Sequence, residues 1–154
     1  MSLASLLSAE QIIPEMKATE RWAAIVELID MLVGLGRIKP ADRDDILHSL
    51  QQREETMSTG IGFGIAIPHC SSDRIEEVVA CFGRSSTGIE FDALDNAPVK
   101  FVVLFIVPKN QFQTHLRTLA SIAKFLNDRS VRESLGTAPS AEAILAIFRD
   151  RPQK

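Results

Sequence analysis

VKFVVLFIV, residues 99–107, is the stretch on which the fold turns. Apart from Lys100 every residue is apolar, and most are β-branched or aromatic. A strand with one wet face alternates polar and apolar side chains; a continuous apolar run needs cover on both faces. The run is also far short of the ~20 residues that span a membrane as a helix. Moving toward the N-terminus, Glu77 to Phe82 is a second β-rich strand, followed by a turn at Thr87-Gly88. Ile89 to Phe91 is a short extended piece, and Asp95-Asn96 makes another turn. Moving toward the C-terminus, Asn110 is expected to cap a helix, with Gln113 completing a capping box. That helix carries the stripe Phe112, Leu116, Leu119, Ala120, Ala123 and Leu126. A short helix over Val131–Leu135 follows, then a last one capped by Ser140 with Ile144, Leu145 and Phe148 inward.

Two helices precede the strands. The first starts at Thr19 as N-cap with Glu20 in its first turn. It carries Trp22, Ile25, Val26, Ile29, Leu32 and Val33 at i, i+3, i+4, i+7 spacing, and Gly34 or Gly36 closes it. The second begins near Pro40 and runs toward Met57 with Ile46, Leu47 and Leu50 inward. Helices on both sides of a buried run give an α/β protein. The expected architecture is a three-layer α/β/α sandwich around a mixed, mostly buried β-sheet, in one domain over residues 1–154.

Composition narrows the function. Lys plus Arg (17) against Asp plus Glu (20) gives a net charge of −3, which disfavours nucleic acid or an anionic membrane as the main partner. The N-terminus, MSLASLLSAEQIIPEM, has no signal-peptide pattern. The two cysteines, Cys70 and Cys81, read as reduced thiols in a cytoplasmic protein. A chain of 154 residues buries roughly 70% of its unfolded surface, enough for a core without metal or disulfide.

The chemistry concentrates around TGIGFGIAIPH, residues 59–69. It is neither a Walker loop, lacking GK[ST], nor a dinucleotide fingerprint, lacking the third glycine and a following helix. Read as extended, it alternates a small face (Gly60, Gly62, Gly64, Ala66, Pro68) with a face of Ile61, Phe63, Ile65, Ile67 and His69. Pro68 fixes the backbone just before the imidazole, so the segment is a rigid platform for His69, which could equally be an ordinary turn histidine. His115 falls near the start of the helix after the central strand, the end that attracts anions; the plain reading is a solvated helix residue. Arg53 follows Ile46 and Leu50 at i+7, which turns its stem inward as a possible oxyanion clamp. Alternatively it offsets the dipole at a helix C-terminus. His48 has no suggestive company, and Glu54 and Glu55 are expected to be solvated. Asp92 and Asp95 sit in turn-like sequence. A zinc site from His69, Cys70, Cys81 and His115 lacks any paired-ligand spacing, and no metal or cofactor is expected. His69 cannot serve Cys70 as a base because neighbours in extended backbone point apart, which leaves a Cys70–His115 pair open.

REETMSTGIGFGIAIPHC together with FDALDNAPVKFVVLFIVPKNQFQTHLRTLASIAKFLND resembles the enzyme IIA domain of the fructose/mannitol class of bacterial phosphotransferase systems, most of all its stand-alone nitrogen-regulatory branch. The resemblance covers roughly residues 1–150. It implies that His69 is transiently phosphorylated and that Arg53 and His115 stabilise the phosphoryl group. It implies an HPr-like phosphocarrier as donor, and a IIB domain or a regulated target as the acceptor or partner. Ile61, Phe63 and Phe112 are candidates for the docking rim, with a core role equally open. Two departures follow His69: Cys70 stands where the family usually has Gly or Ala, and Ser71 where it often has Lys. They are expected to weaken phosphate stabilisation or to add redox sensitivity.

Overall fold

The computed structural model describes residues 3–150. In chain order the elements are β1 (Ile12–Ile13), α1 (Arg21–Gly34), α2 (Arg43–Thr56), β2 (Gly60–Gly62), β3 (Ile65–Ala66), β4 (His69–Ser72), β5 (Val79–Ile89), β6 (Val99–Pro108), α3 (Phe112–Leu126), α4 (Arg129–Thr137) and α5 (Ala141–Asp150). One six-stranded sheet runs β1-β5-β6-β3-β2, and β4 continues the β3 side by pairing with the far end of β6. The pairing is mixed: β1 is parallel to β5, β5 antiparallel to β6, and both β3 and β4 parallel to β6.

β6 explains the layering. Phe101, Val103, Phe105 and Val107 join one apolar cluster with Ile122, Phe125, Leu135, Ile144 and Phe148 of the C-terminal helices. Val102, Leu104 and Ile106 join the other with Ile25, Leu28, Ile29, Leu32, Ile46 and Leu50 of α1 and α2. The expected three-layer α/β/α sandwich around a mixed sheet is therefore found. The expected span of 1–154 includes residues 1, 2 and 151–154, which lie outside the described residues.

Local readings differ in informative ways. Glu20, not Thr19, caps α1: its carboxylate accepts from Trp22 N at 3.0 Å and Ala23 N at 2.6 Å. The Asn110–Gln113 capping box does not form, because a 3₁₀ turn over Lys109–Gln111 intervenes and α3 starts at Phe112 with Gln111 in the capping position. Its buried face is His115, Thr118, Ile122, Phe125 and Leu126, which leaves Leu116 and Ala120 exposed and Leu119 at the margin. No turn breaks the chain at Thr87-Gly88: β5 runs on to Ile89 across a register irregularity after Arg84. There Gly88 takes φ +92°, and a Cβ would lie 2.9 Å from that of Pro98. Strand β1 was not expected; Gln11 just before it is buried and donates Nε2 to Ala80 O at 2.7 Å.

Arg84 holds the C-terminal layer to the sheet. Its Nε donates to Pro14 O at 2.9 Å, and its Nη1 to Leu135 O and Ala138 O at 2.8 and 2.6 Å. Arg84→Ala is expected to lower stability by about 2–3 kcal/mol, since hydrogen bonds from charged groups each contribute ~1.5–3 kcal/mol net. The measurement is the urea midpoint at unchanged slope. Arg84→Lys, which cannot fork, should recover little; a wild-type midpoint for Arg84→Ala would exclude this role.

Candidate functional site

The glycine-rich segment is not one extended strand. β2 and β3 form a hairpin whose two loop residues, Phe63 and Gly64, have φ +59° and +78°. Such a loop matches the twist of its strands, but it strains a residue with a Cβ. Phe63 is held there by Asp95, whose Oδ2 accepts its N–H at 3.2 Å, and by the Arg132 guanidinium 4.9 Å from its ring centre. Gly60 lets the hairpin press against the turn after β5, where a Cβ would lie 2.7 Å from Ala93 Cβ. From Ile65 onward the alternation holds. Ile65 and Ile67 face the α3–α5 cluster, and Ala66 and Cys70 face the α1/α2 cluster.

His69 opens β4 in register with Phe105, and so stands on the α3 side of the sheet. Its backbone is fixed on both sides: Ile67 N donates to Thr59 O, and Phe105 N to Pro68 O, each at 3.0 Å. The ring itself bonds through Nδ1 to Ile67 O at 2.8 Å. A carbonyl can only accept, so Nδ1 carries the proton and Nε2 keeps its lone pair. Burial pushes the ring below its ordinary value of 6.5; the Ile67 bond opposes this and the Arg53 charge adds to it. The result is a neutral imidazole with one nucleophilic nitrogen.

Arg53, His69 and Phe112 line one cleft of about 300 Å³, together with Ser49, Gln52, Cys70 and Ser71. Arg53 reaches it from the last turn of α2, with Nη1 donating to Met57 O at 2.8 Å. It is half-buried on the helix flank, and the inward stripe Ile46, Leu50 continues instead to Glu54. The expectation of a solvated Glu54 is thus overturned: at i+8 from Ile46 it faces the core, whereas Glu55 is exposed. Burial raises the Glu54 carboxyl above its ordinary value, opposed by bonds from Thr59 and by Arg21 and Arg53. The i+4, i+8 spacing was the available signal, and a carboxylate at the end of a stripe disguises it.

His115 does not line this cleft. It is 4% exposed, packs edge-on against Phe105 at 5.9 Å between ring centres, and borders a neighbouring depression with Thr114, Arg117, Thr118 and Ser121. It is therefore no solvated helix residue, and among the described residues its Nδ1 has no partner. Both histidines flank Phe105. Ile61 and Phe63 also lie outside the cleft and are exposed, Phe63 by 65%; Met57 and Leu94 are exposed as well. His48 is exposed on α2. Cys70 and Cys81 pack in the α1/α2 cluster, across the sheet from the His69 and His115 side, so the four do not converge on one ion and Cys70 cannot pair with His115. Burial pushes the Cys70 thiol up to about 12, which removes the reactive thiolate that redox sensitivity requires.

The sequence model described as "Phosphoenolpyruvate-dependent sugar phosphotransferase system, EIIA 2" matches residues 5–151. The chain belongs to this family. It is 35% identical over 146 residues to the PTS system fructose-specific EIIA component of Haloferax volcanii, covering 95% of this chain and 94% of that one. Among solved structures it superposes on the nitrogen regulatory protein IIA-Ntr of Neisseria meningitidis with a TM-score of 0.86 at 30% identity, over 95% of this chain and 98% of that one. It is also similar to the complex of enzyme IIA-Mtl and phosphorylated enzyme IIB-Mtl from Escherichia coli, with a TM-score of 0.78 at 25% identity over 94% and 98%. The chain is thus an EIIA component of a phosphotransferase system, and no helix among its described residues is long and apolar enough to cross a membrane.

Two outcomes are expected for this EIIA domain. In an NMR titration His69 should protonate below pH 6.5, and Arg53→Ala should raise its midpoint. The unfolded chain takes that proton near 6.5 and the folded chain only at lower pH. The His69 contribution to stability is therefore complete above that value and lost progressively as pH falls through the folded midpoint. Iodoacetamide at neutral pH should leave Cys70 unmodified in the native protein; rapid alkylation would overturn the inert-thiol assignment.

Proposed function

We propose that this EIIA domain relays phosphate through Nε2 of His69. The observation that carries the reading is the Nδ1–Ile67 bond, which leaves one free nitrogen on a neutral ring in the cleft that Arg53 lines. The donor is an HPr-like phosphocarrier. In the transfer the Nε2 lone pair forms the new N–P bond as the bond from phosphorus to the donor breaks, returning its electron pair to the donor. Phosphoryl transfer needs little from the protein beyond positioning and charge stabilisation. Arg53 supplies the cation, and the buried His115 ring, whose Nδ1 has no hydrogen-bond partner among the described residues, supplies a second group on the same side of the sheet. Exposed Ile61 and Phe63, with Phe112 at the cleft, form the docking rim.

The output is regulatory, of the nitrogen-branch kind, and the domain acts in the cytoplasm; the TM-score of 0.86 with IIA-Ntr supports the branch. A second reading, transfer to a separate IIB domain for uptake of a fructose- or mannitol-type sugar, is favoured by the 35% identity with the fructose-specific component.

Incubation with enzyme I, HPr and phosphoenolpyruvate, followed by intact mass, should add one acid-labile phosphate to the wild type and none to His69→Ala. Phosphate on the mutant would sink the acceptor assignment. The rate of phosphorylation should fall as pH drops through the His69 midpoint, because protonation removes the Nε2 lone pair. Arg53→Ala should slow phosphorylation by roughly 100-fold, the usual scale for one lost charge-stabilising donor. Rapid loss of the label to a purified fructose-type IIB domain would favour the sugar reading, and its retention the regulatory one.

A further inference from the structure

A carboxylate removed from water is costly unless bonded and paired. Glu54 is 2% exposed, and its bonds go to one residue. Its two oxygens accept Thr59 N–H at 3.3 and 3.2 Å, and Oε1 also accepts the Thr59 hydroxyl. Arg21 Nη1, on α1, lies 3.7 Å from Oε2. The pair ties the C-terminus of α2 to the start of β2 across Met57 and Ser58. Both halves of the candidate site hang from this tie. Arg53 Nη1 donates to Met57 O inside the loop at 2.8 Å. Thr59 O accepts Ile67 N at 3.0 Å, and Ile67 O accepts His69 Nδ1 at 2.8 Å. Successive bonds therefore run from the Glu54 carboxylate through Thr59 and Ile67 to the imidazole.

We propose that Glu54 is a positioning residue for phosphoryl transfer: by locking Thr59 it sets the Ile67 carbonyl that keeps the His69 proton on Nδ1 and the Met57 carbonyl that restrains Arg53. An apolar residue at 54 would extend the stripe of Ile46 and Leu50, but it would leave the Thr59 N–H and hydroxyl unpaired in a buried turn. The carboxylate is the group that satisfies both donors together. The proposal rests on the reading of His69 as the phosphoryl acceptor.

The test uses the full chain and two readouts, ¹⁵N NMR of the His69 ring without any donor and the phosphorylation rate with enzyme I, HPr and phosphoenolpyruvate. Glu54→Ala should convert the single Nδ1–H form of His69 into a mixture of tautomers. It should slow transfer by roughly 10- to 100-fold, the scale of a small misplacement of reacting groups, with the loss in kcat rather than in the KM for HPr. Glu54→Gln, which keeps an acceptor for Thr59, should restore the tautomer and most of the rate. A folded Glu54→Ala protein with the wild-type tautomer would overturn the proposal, whether or not its stability falls, as would a wild-type rate. If Glu54→Ala does not fold, Thr59→Val removes the hydroxyl donor at constant shape and carries the same expectation with smaller effects; an unmoved tautomer and rate there would equally overturn it. The two readings fail differently. Absence of phosphate on wild-type His69 sinks the acceptor assignment, whereas a phosphorylated wild type with unmoved variants sinks only the role of Glu54.

Discussion

Burial of β6 on both faces is the constraint from which the rest of the structure follows. From Phe101 to Val107, odd residues of the strand belong to the layer of α3, α4 and α5, and even residues to the layer of α1 and α2. Every strand in register with it inherits this division. β4 lies parallel to its C-terminal half, so His69 shares a face with Phe105, and Cys70 shares the opposite face with Ile106. The ring of His69, the proposed phosphoryl acceptor, is placed by the parity of a strand, and its pairing with β6 fixes that parity more firmly than a loop could.

The cleft draws on both layers at the edge of the sheet. α2 brings Arg53 from one side, while α3 brings Phe112 from the other; His115, one turn later on α3, borders the neighbouring depression. The hairpin of β2 and β3 lies outside the cleft, and its glycines matter where the chain is tight: Gly60 against Ala93, and Gly64 in the left-handed region. Neutrality of His69 and its single available nitrogen arise from different causes. Burial accounts chiefly for the first, and a main-chain carbonyl for the second.

Much of this was legible in the sequence. The apolar run of β6, the stripe of α1 and the Pro68-His69 ending of the platform led to the layered architecture and to His69 and Arg53. What escaped did so for physical reasons. A two-residue hairpin loop preserves the period-2 alternation, so Ile61 and Phe63 read as continuous with Ile65 and Ile67, although the chain reverses between them. The inward face of α3 uses His115 and Thr118 where apolar residues were expected, so Leu116 and Ala120 misplaced the stripe. β1 is two residues long and carries no periodicity of its own. Glu54 is hidden by its charge, which ordinarily means exposure, and its donors lie on a turn that the sequence pattern does not reveal.

The burial of Cys70 has a meaning for how such a protein can change. Position 70 adjoins the His69 ring in the chain, yet its side chain packs among the residues that cover α1 and α2. A methylene gained or lost there is answered by neighbours in that layer, such as Ile106, and on the α2 side of the cleft that Cys70 helps to line. The imidazole and the packed thiol occupy opposite faces of one strand. Substitutions at position 70 therefore couple the packing of the α1/α2 core to the α2 wall of the cleft, while the His69 ring stands on the opposite face of the strand.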